Sequence, residues 1–262
     1  MNRLQKLFAE KDQNILNIYF TAGFPKLEDT ASIIQYLAAA GADLIEVGMP
    51  YSDPLADGPT IQQSGQKAIE NGMTLEVLFQ QIKQVRSTTE IPLVLMGYFN
   101  QVMQYGEQRF INACASAGID GLILPDLPVH EYETFYKTAI EAANLKVSFL
   151  ITPQTSEARI QKIDDLSSSF IYMVSNASIT GAKKEISEQQ IAYFERINQM
   201  QLNNPRLIGF GISNYETFST ACRYAKGAII GSAFIRMLEK SDDIEQDIHQ
   251  FVRDIRQTDG GR

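Results

Sequence analysis

The chain has 262 residues, 44% of them apolar, and a formal net charge of −8. That suffices for one large α/β unit or two small ones. The acidic balance, with a sequence pI ≈ 4.9 and no basic tract, excludes nucleic acid as a partner class, and no segment is long and apolar enough to span a bilayer.

Leu4, Leu7 and Phe8 fall at helical spacing, so a short helix opens the chain, and this amphipathic start does not read as a signal peptide. A first strand over Ile15–Phe20 ends at Thr21-Ala-Gly-Phe-Pro25. A helix follows over Asp29–Ala40, with Gly41 as its C-cap. The second strand, Asp43–Val47, leads into a long loop, then helices over Thr60–Glu70 and Thr74–Arg86. Strand three is Pro92–Met96. Residues 97–105 lead to a helix over Glu107–Ala117, and strand four is Ile119–Leu124.

His130–Ala143 reads as a helix, Lys146–Ile151 as strand five, Ser156–Leu166 as a helix and Phe170–Val174 as strand six. A polar loop, Ser175–Glu185, precedes a helix over Ser187–Met200. Strand seven is Arg206–Gly209, and its helix is Asn214–Tyr224. Strand eight is Gly227–Ile230, followed by helices over Ala233–Glu239 and Asp243–Ile255.

Eight strands alternating with helices, without a low-complexity linker, predict a parallel sheet. Eight units in this length match a closed (β/α)8 TIM barrel, here one domain over 1–262 with an extra N-terminal helix and additional helices. The first βα turn lacks the Gly-x-Gly-x-x-Gly pattern of a dinucleotide fold. Cys114 and Cys222 lie in Ala-rich helical stretches without metal-type spacing; they read as reduced core thiols of a cytoplasmic protein.

The second strand and its loop read Leu-Ile-Glu-Val-Gly-Met-Pro-Tyr-Ser-Asp-Pro-Leu-Ala-Asp-Gly over 44–58. Burying an ionised carboxylate is costly, so Glu46 in an apolar strand calls for a use. It stands near the strand's C-terminal end, where barrels of this class place catalysis. Glu46 and Asp57 are therefore the candidate acid–base pair. Asp53, in Ser-Asp-Pro, reads as a turn-maker through side-chain-to-backbone bonds. His130, His249 and Asp126 have no such setting, and no metal site is expected.

Gly209-Phe-Gly211 follows strand seven, and Gly231-Ser232 follows strand eight. Barrels often bind phosphate there, on backbone N–H groups and a helix N-terminus. Ser232 offers a hydroxyl, and Thr180-Gly181 after strand six could complete the ring. The competing reading is of ordinary barrel-corner glycines.

The 44–58 stretch closely resembles the signature of the tryptophan synthase α subunit family. Phe20–Pro25, Gly58–Gln62, Pro125-Asp-Leu-Pro128, Thr180-Gly181, Gly209–Ile212 and Gly231–Ala233 match in order, so the resemblance covers nearly the whole chain. It implies retro-aldol cleavage of indole-3-glycerol phosphate to indole and glyceraldehyde 3-phosphate, with no metal or organic cofactor on this chain. Glu46 would shuttle the protons. Asp57 would stay ionised and accept the indole N–H.

The resemblance further implies Tyr172 beside Glu46, and an indole pocket walled by Phe20, Leu95, Leu124, Ile151 and Phe210. Phosphate contacts would come from Gly181, Gly211, Gly231 and Ser232, with Thr180 closing the loop after strand six. That loop departs from the family pattern: Ser178 stands where most members have glycine, and Asn176 where many have arginine.

The implied partner is a pyridoxal-phosphate β subunit in an αββα assembly, which would take the indole on to L-tryptophan and contact the 50–59 loop and the 125–128 turn. A free-standing lyase, a non-catalytic phosphate-binding barrel and another sugar-phosphate enzyme remain as alternatives. The last is disfavoured as a Schiff-base aldolase, because the only strand lysine, Lys146, opens its strand.

Overall fold

The structure, a computed structural model, describes residues 1–175, 186–209 and 211–257. Its strands are β1 (Ile15–Thr21), β2 (Leu44–Gly48), β3 (Leu93–Met96), β4 (Gly121–Ile123), β5 (Lys146–Val147), β6 (Leu150–Ile151), β7 (Ile171–Val174), β8 (Arg206–Gly209) and β9 (Gly227–Ile230). All pairings are parallel, in the order β5-β4-β3-β2-β1-β9-β8-β7-β6.

The two ends of that order are one stretch of chain. Only Ser148 and Phe149 separate β5 from β6. Ser148 N–H donates to the Leu122 carbonyl at 3.1 Å on one side, and Tyr172 N–H donates to the Phe149 carbonyl at 2.9 Å on the other. The sheet thus closes on itself as the eight-stranded (β/α)8 barrel expected from the sequence, and closure removes the unpaired edges an open sheet would expose.

Helices return the chain between strands, with conventional end chemistry. Gly41 takes the left-handed conformation (φ +94°) that ends Asp29–Ala40, and Pro59 opens Pro59–Glu70. Thr74 caps Leu75–Val85 through its side chain. One helix was not foreseen: Phe99–Tyr105, a short turn after β3 in which the Gln101 side chain reaches back to the Tyr98 N–H. The expected helix over 130–143 is present but widens into a π turn at Tyr132–Tyr136.

Side chains alternate between two cores, because successive strand residues point to opposite faces. Outward-facing Leu16, Ile18, Phe20, Ile45, Val47, Leu93, Leu95, Leu122, Val147, Ile151, Ile171 and Met173 pack with the helices in one continuous shell. Inward-facing Ile15, Leu44, Val94, Ile123, Phe170, Tyr172, Leu207 and Ile229 fill the barrel. The opening helix Arg3–Glu10 plugs the base, with Leu4 fully buried and Phe8 against Phe170 at 5.8 Å between ring centroids. A buried ion pair, Arg86 to Asp120 at 3.0 Å, fastens the same end. The plug leaves the C-terminal mouth as the open end.

Candidate active site

Glu46 lies on the inward face of β2, fully buried, level with Tyr19 on β1 and Val94 on β3. Its Oε1 accepts a hydrogen bond from Asn17 Nδ2 at 2.5 Å, and its Oε2 has no hydrogen-bond partner among the described residues. Burial raises its pKa from the ordinary 4.5 to about 8, opposed by the Asn17 bond. A carboxyl so placed holds its proton at neutral pH and can both give and take one.

Asp57 sits in the loop after β2, half-buried at the mouth. Burial raises it to about 6, and the Tyr98 hydroxyl, donating to Oδ2 at 3.1 Å, works the other way. The two carboxyls thus titrate on opposite sides of neutrality: one is mostly protonated at pH 7, the other mostly ionised. Such divergence sorts acid from charge stabiliser.

The Asp57 loop is fastened from the segment after β3. Tyr98 Oη also accepts the Ala56 N–H at 3.0 Å, and the Tyr98 ring stacks on Tyr51 at 5.0 Å. Asn100 donates to the Tyr51 hydroxyl at 2.7 Å, and Gln101 to the Pro50 carbonyl at 2.7 Å. The family resemblance gives no tyrosine contact for this segment, and the structure supplies one through Tyr98. Asp53 differs from its expected role: its carboxylate takes the Ser52 hydroxyl, and the turn is made by its backbone carbonyl, which accepts the Leu55 N–H at 2.9 Å. Asp126 accepts the Phe99 N–H at 2.8 Å, a loop-holding bond.

Tyr172 faces inward from β7, 4% exposed, and its hydroxyl is held well above its ordinary pKa by burial and then by Glu46. Tyr19 is raised likewise by burial, with Asp57 and Glu46 adding to the shift. Both rings stay neutral and face the carboxyls. Each stands over a glycine: a methyl at Gly48 would overlap the Tyr19 hydroxyl, and one at Gly209 would overlap that of Tyr172.

The expected pocket wall needs correction. Phe20, Leu95 and Ile151 are fully sealed and Leu124 is 5% exposed, all in the outer shell between strands and helices. They point away from Glu46. The residues one position away in register, Tyr19, Met96, Ile123 and Leu150, share the face of Glu46 and Tyr172. Tyr19, Met96 and Leu150 are half-buried, as side chains lining an open mouth should be. The cause is physical: a parallel strand buried on both faces is apolar at every position, so hydrophobicity does not say which face is inside.

Across the mouth, Gly211 takes the left-handed region (φ +82°) and is exposed after β8. Gly231 caps the helix Ser232–Lys240, whose first closing bond runs from Ile235 N–H to the Gly231 carbonyl at 3.0 Å. The N–H groups of Ser232, Ala233 and Phe234 precede that bond and have no intrahelical acceptor. Thr180, Gly181 and Phe210 lie outside the described residues, as do Asn176 and Ser178. Among the described residues no three His, Cys, Asp or Glu side chains converge as a metal-ligand set, and both cysteines are buried and free.

A closed barrel with two unlike carboxyls at its mouth, opposite a helix N-terminus flanked by glycines, defines a barrel enzyme of acid–base chemistry on a phosphorylated substrate. Residues 4–259 match the family model for the tryptophan synthase alpha chain, and this chain belongs to that family. The tryptophan synthase alpha chain of Flavobacterium johnsoniae is 55% identical over 257 residues, covering 98% of this chain and 100% of that one. That of Parabacteroides distasonis is 49% identical, with the same coverage of 98% and 100%.

Among solved structures, tryptophan synthase subunit alpha from Legionella pneumophila superposes with a TM-score of 0.88 at 30% identity, covering 98% of both chains. A chain of tryptophan synthase from M. tuberculosis, in its aminoacrylate-bound form, gives 0.85 at 26% identity, covering 97% of this chain and 98% of that one. The chain is a carbon–carbon lyase that cleaves indole-3-glycerol phosphate to indole and glyceraldehyde 3-phosphate, the alpha reaction of tryptophan biosynthesis.

Proposed function

We propose that Glu46 carries both proton transfers of this cleavage and Asp57 holds the charge that develops between them. The observation that supports this most is the buried Glu46 carboxyl on the inward face, with one oxygen bound and one free of partners among the described residues. The protonated carboxyl adds its proton to C3 of the indole, giving a cationic indolenine ring. The bond from C3 to the side chain then breaks, and its electron pair restores the aromatic indole. The hydroxyl on the released carbon becomes the aldehyde as its proton passes to the Glu46 carboxylate, which is thereby reset. Asp57, ionised, accepts the ring N–H and offsets the positive charge while it lasts.

Tyr172, with Tyr19, Met96, Ile123 and Leu150, is proposed to line the indole pocket. Gly211, Gly231 and Ser232 would hold the phosphate at the helix N-terminus, with Thr180, Gly181 and Phe210 completing that end. No step draws on a metal or organic cofactor. Indole release by wild type, Glu46→Gln and Asp57→Asn tests the assignment: both variants should lose activity while the protein stays folded, and an active Glu46→Gln would sink it.

A β subunit is the proposed partner, in an αββα assembly that keeps pyridoxal phosphate on the β chain; the setting is cytoplasmic. Three exposed apolar side chains support a docking face at the mouth: Leu55 (87%), Met103 (48%) and Phe135 (64%), in segments that follow β2, β3 and β4. Leu55 belongs to the 50–59 loop, and Phe135 follows the 125–128 turn. Indole release measured with and without a β subunit separates this assembly from a free-standing lyase, which would turn over fully alone.

A further inference from the structure

β1 carries a buried amide that the reaction as described leaves without a task. Asn17 is fully buried on the inward face, one layer below Glu46 and level with Leu44 and Ile229. Both of those neighbours are apolar. Of its polar atoms, Nδ2 donates to Glu46 Oε1, and Oδ1 has no hydrogen-bond partner among the described residues. An amide kept in an apolar layer with half its capacity unused costs stability, and a leucine of similar size would not. Its one bond goes to the carboxyl that exchanges the proton.

We propose that Asn17 is the positioning residue of the proton shuttle: its amide occupies Glu46 Oε1 and so reserves Oε2 for the proton exchanged with substrate. This rests on the assignment of Glu46 as the shuttle. Oε1 accepts the amide proton in either state of the carboxyl, as carbonyl oxygen when Oε2 is protonated and as carboxylate oxygen when it is not. The bond is stronger to the charged form, so Asn17 also limits how far burial raises the carboxyl and keeps the ionised intermediate within reach.

The groups facing Glu46 leave this task to Asn17. From β1 comes Tyr19 and from β7 Tyr172, both held neutral by burial and by the carboxyls. From the loop after β2 comes Asp57, and from the segment after β3 Tyr98, which is committed to Asp57 and Ala56. Among the described residues Glu46 itself is shifted by burial, which raises it, and by the Asn17 bond, which lowers it.

The test is the pH profile of Asn17→Leu, which fills the space, and Asn17→Ala, which leaves it open. Loss of the bond should move the alkaline limb of kcat/KM up by roughly one to two pH units, the worth of a hydrogen bond to a charged group. By the same measure kcat should fall roughly tenfold or more. KM should hold, because Asn17 lies below the layer that meets substrate. In the wild-type enzyme, the Asn17 side-chain amide resonances should titrate with the same midpoint as that limb.

A folded Asn17 variant with the wild-type limb, beside an inactive Glu46→Gln, overturns the role of Asn17 alone. Amide resonances that stay flat through the limb do the same without any variant. An active Glu46→Gln overturns the shuttle assignment, and this role with it.

Discussion

The Tyr98 hydroxyl stands between two parts of one loop, accepting the Ala56 N–H at 3.0 Å and donating to Asp57 Oδ2 at 3.1 Å. A residue after β3 thus both anchors the loop after β2 and stabilises the charge its carboxyl carries. Tyr98→Phe removes both bonds and keeps the ring stacked on Tyr51. Asp57 should then titrate above its present value of about 6, by about one unit if the bond is worth ~1.5 kcal/mol. The acid limb of the pH–rate profile should rise with it, and activity at pH 6.5 should fall more than at pH 8.

The two carboxyls predict a bell-shaped kcat/KM. Activity should be lost on the acid side as Asp57 protonates, near pH 6, and on the alkaline side as Glu46 loses its proton, near pH 8. Asp57→Asn should abolish the acid limb along with most of the rate. A profile flat from pH 5 to 9 would show that neither group is titrating in the free enzyme.

Glu46 also makes stability depend on pH. Its carboxyl titrates at about 8 in the folded chain against an ordinary value of 4.5. Between those values the folded chain holds a proton that the unfolded chain has released. Stability from this group is therefore full below about pH 4.5 and is lost as pH rises through 8. Glu46→Gln should be more stable than wild type at pH 9, by up to about 5 kcal/mol, and the gap should narrow towards pH 5. Urea unfolding of both proteins at the two pH values measures it. The same substitution should lower the rate by roughly 10²–10⁴-fold.

The inward and outward faces should respond differently to truncation. Leu150→Ala and Met96→Ala, at the mouth, should raise KM with little change in unfolding midpoint. Leu95→Ala and Phe20→Ala, in the sealed shell, should cost about 2–5 kcal/mol of stability. Their folded fraction should bind substrate normally. A large KM effect from Leu95→Ala with stability intact would return that residue to the pocket.

Much of this molecule was legible in its sequence, and the losses share one cause. The eight strands and the order of helices were readable because Gly, Pro and cap residues punctuate each unit, and Glu46 stands out as a charge in an apolar strand. The facing of each strand was not readable, and Phe20, Leu95, Leu124 and Ile151 were assigned to the wrong side for that reason. A marker was available: Glu46 must face the lumen, so the residues in register with it share its face.

Asn17 is marked by the same physics as Glu46, as a polar side chain inside Ile-Leu-Asn-Ile-Tyr-Phe, but an uncharged amide stands out less than a carboxylate. Tyr98 was invisible for a different reason. Its contact with Asp57 joins two loops, and neither loop's composition announces the other.

The glycines beneath the two tyrosines constrain how the chain can vary. Because a methyl at Gly48 would overlap the Tyr19 hydroxyl, and one at Gly209 that of Tyr172, each position is acceptable only in view of its partner. The ring carbons are as confining as the hydroxyls, with Cζ of each tyrosine 2.6 Å from where that methyl would stand. Tyr19→Phe should therefore not rescue Gly48→Ala, nor Tyr172→Phe rescue Gly209→Ala, whereas Tyr19→Ala and Tyr172→Ala should recover the stability each alanine costs. Each pair should be sub-additive in a double-mutant cycle. The mouth of this barrel thus changes by paired steps, and only a lineage that exchanged either tyrosine ring for a smaller side chain would be released to lose the glycine as well.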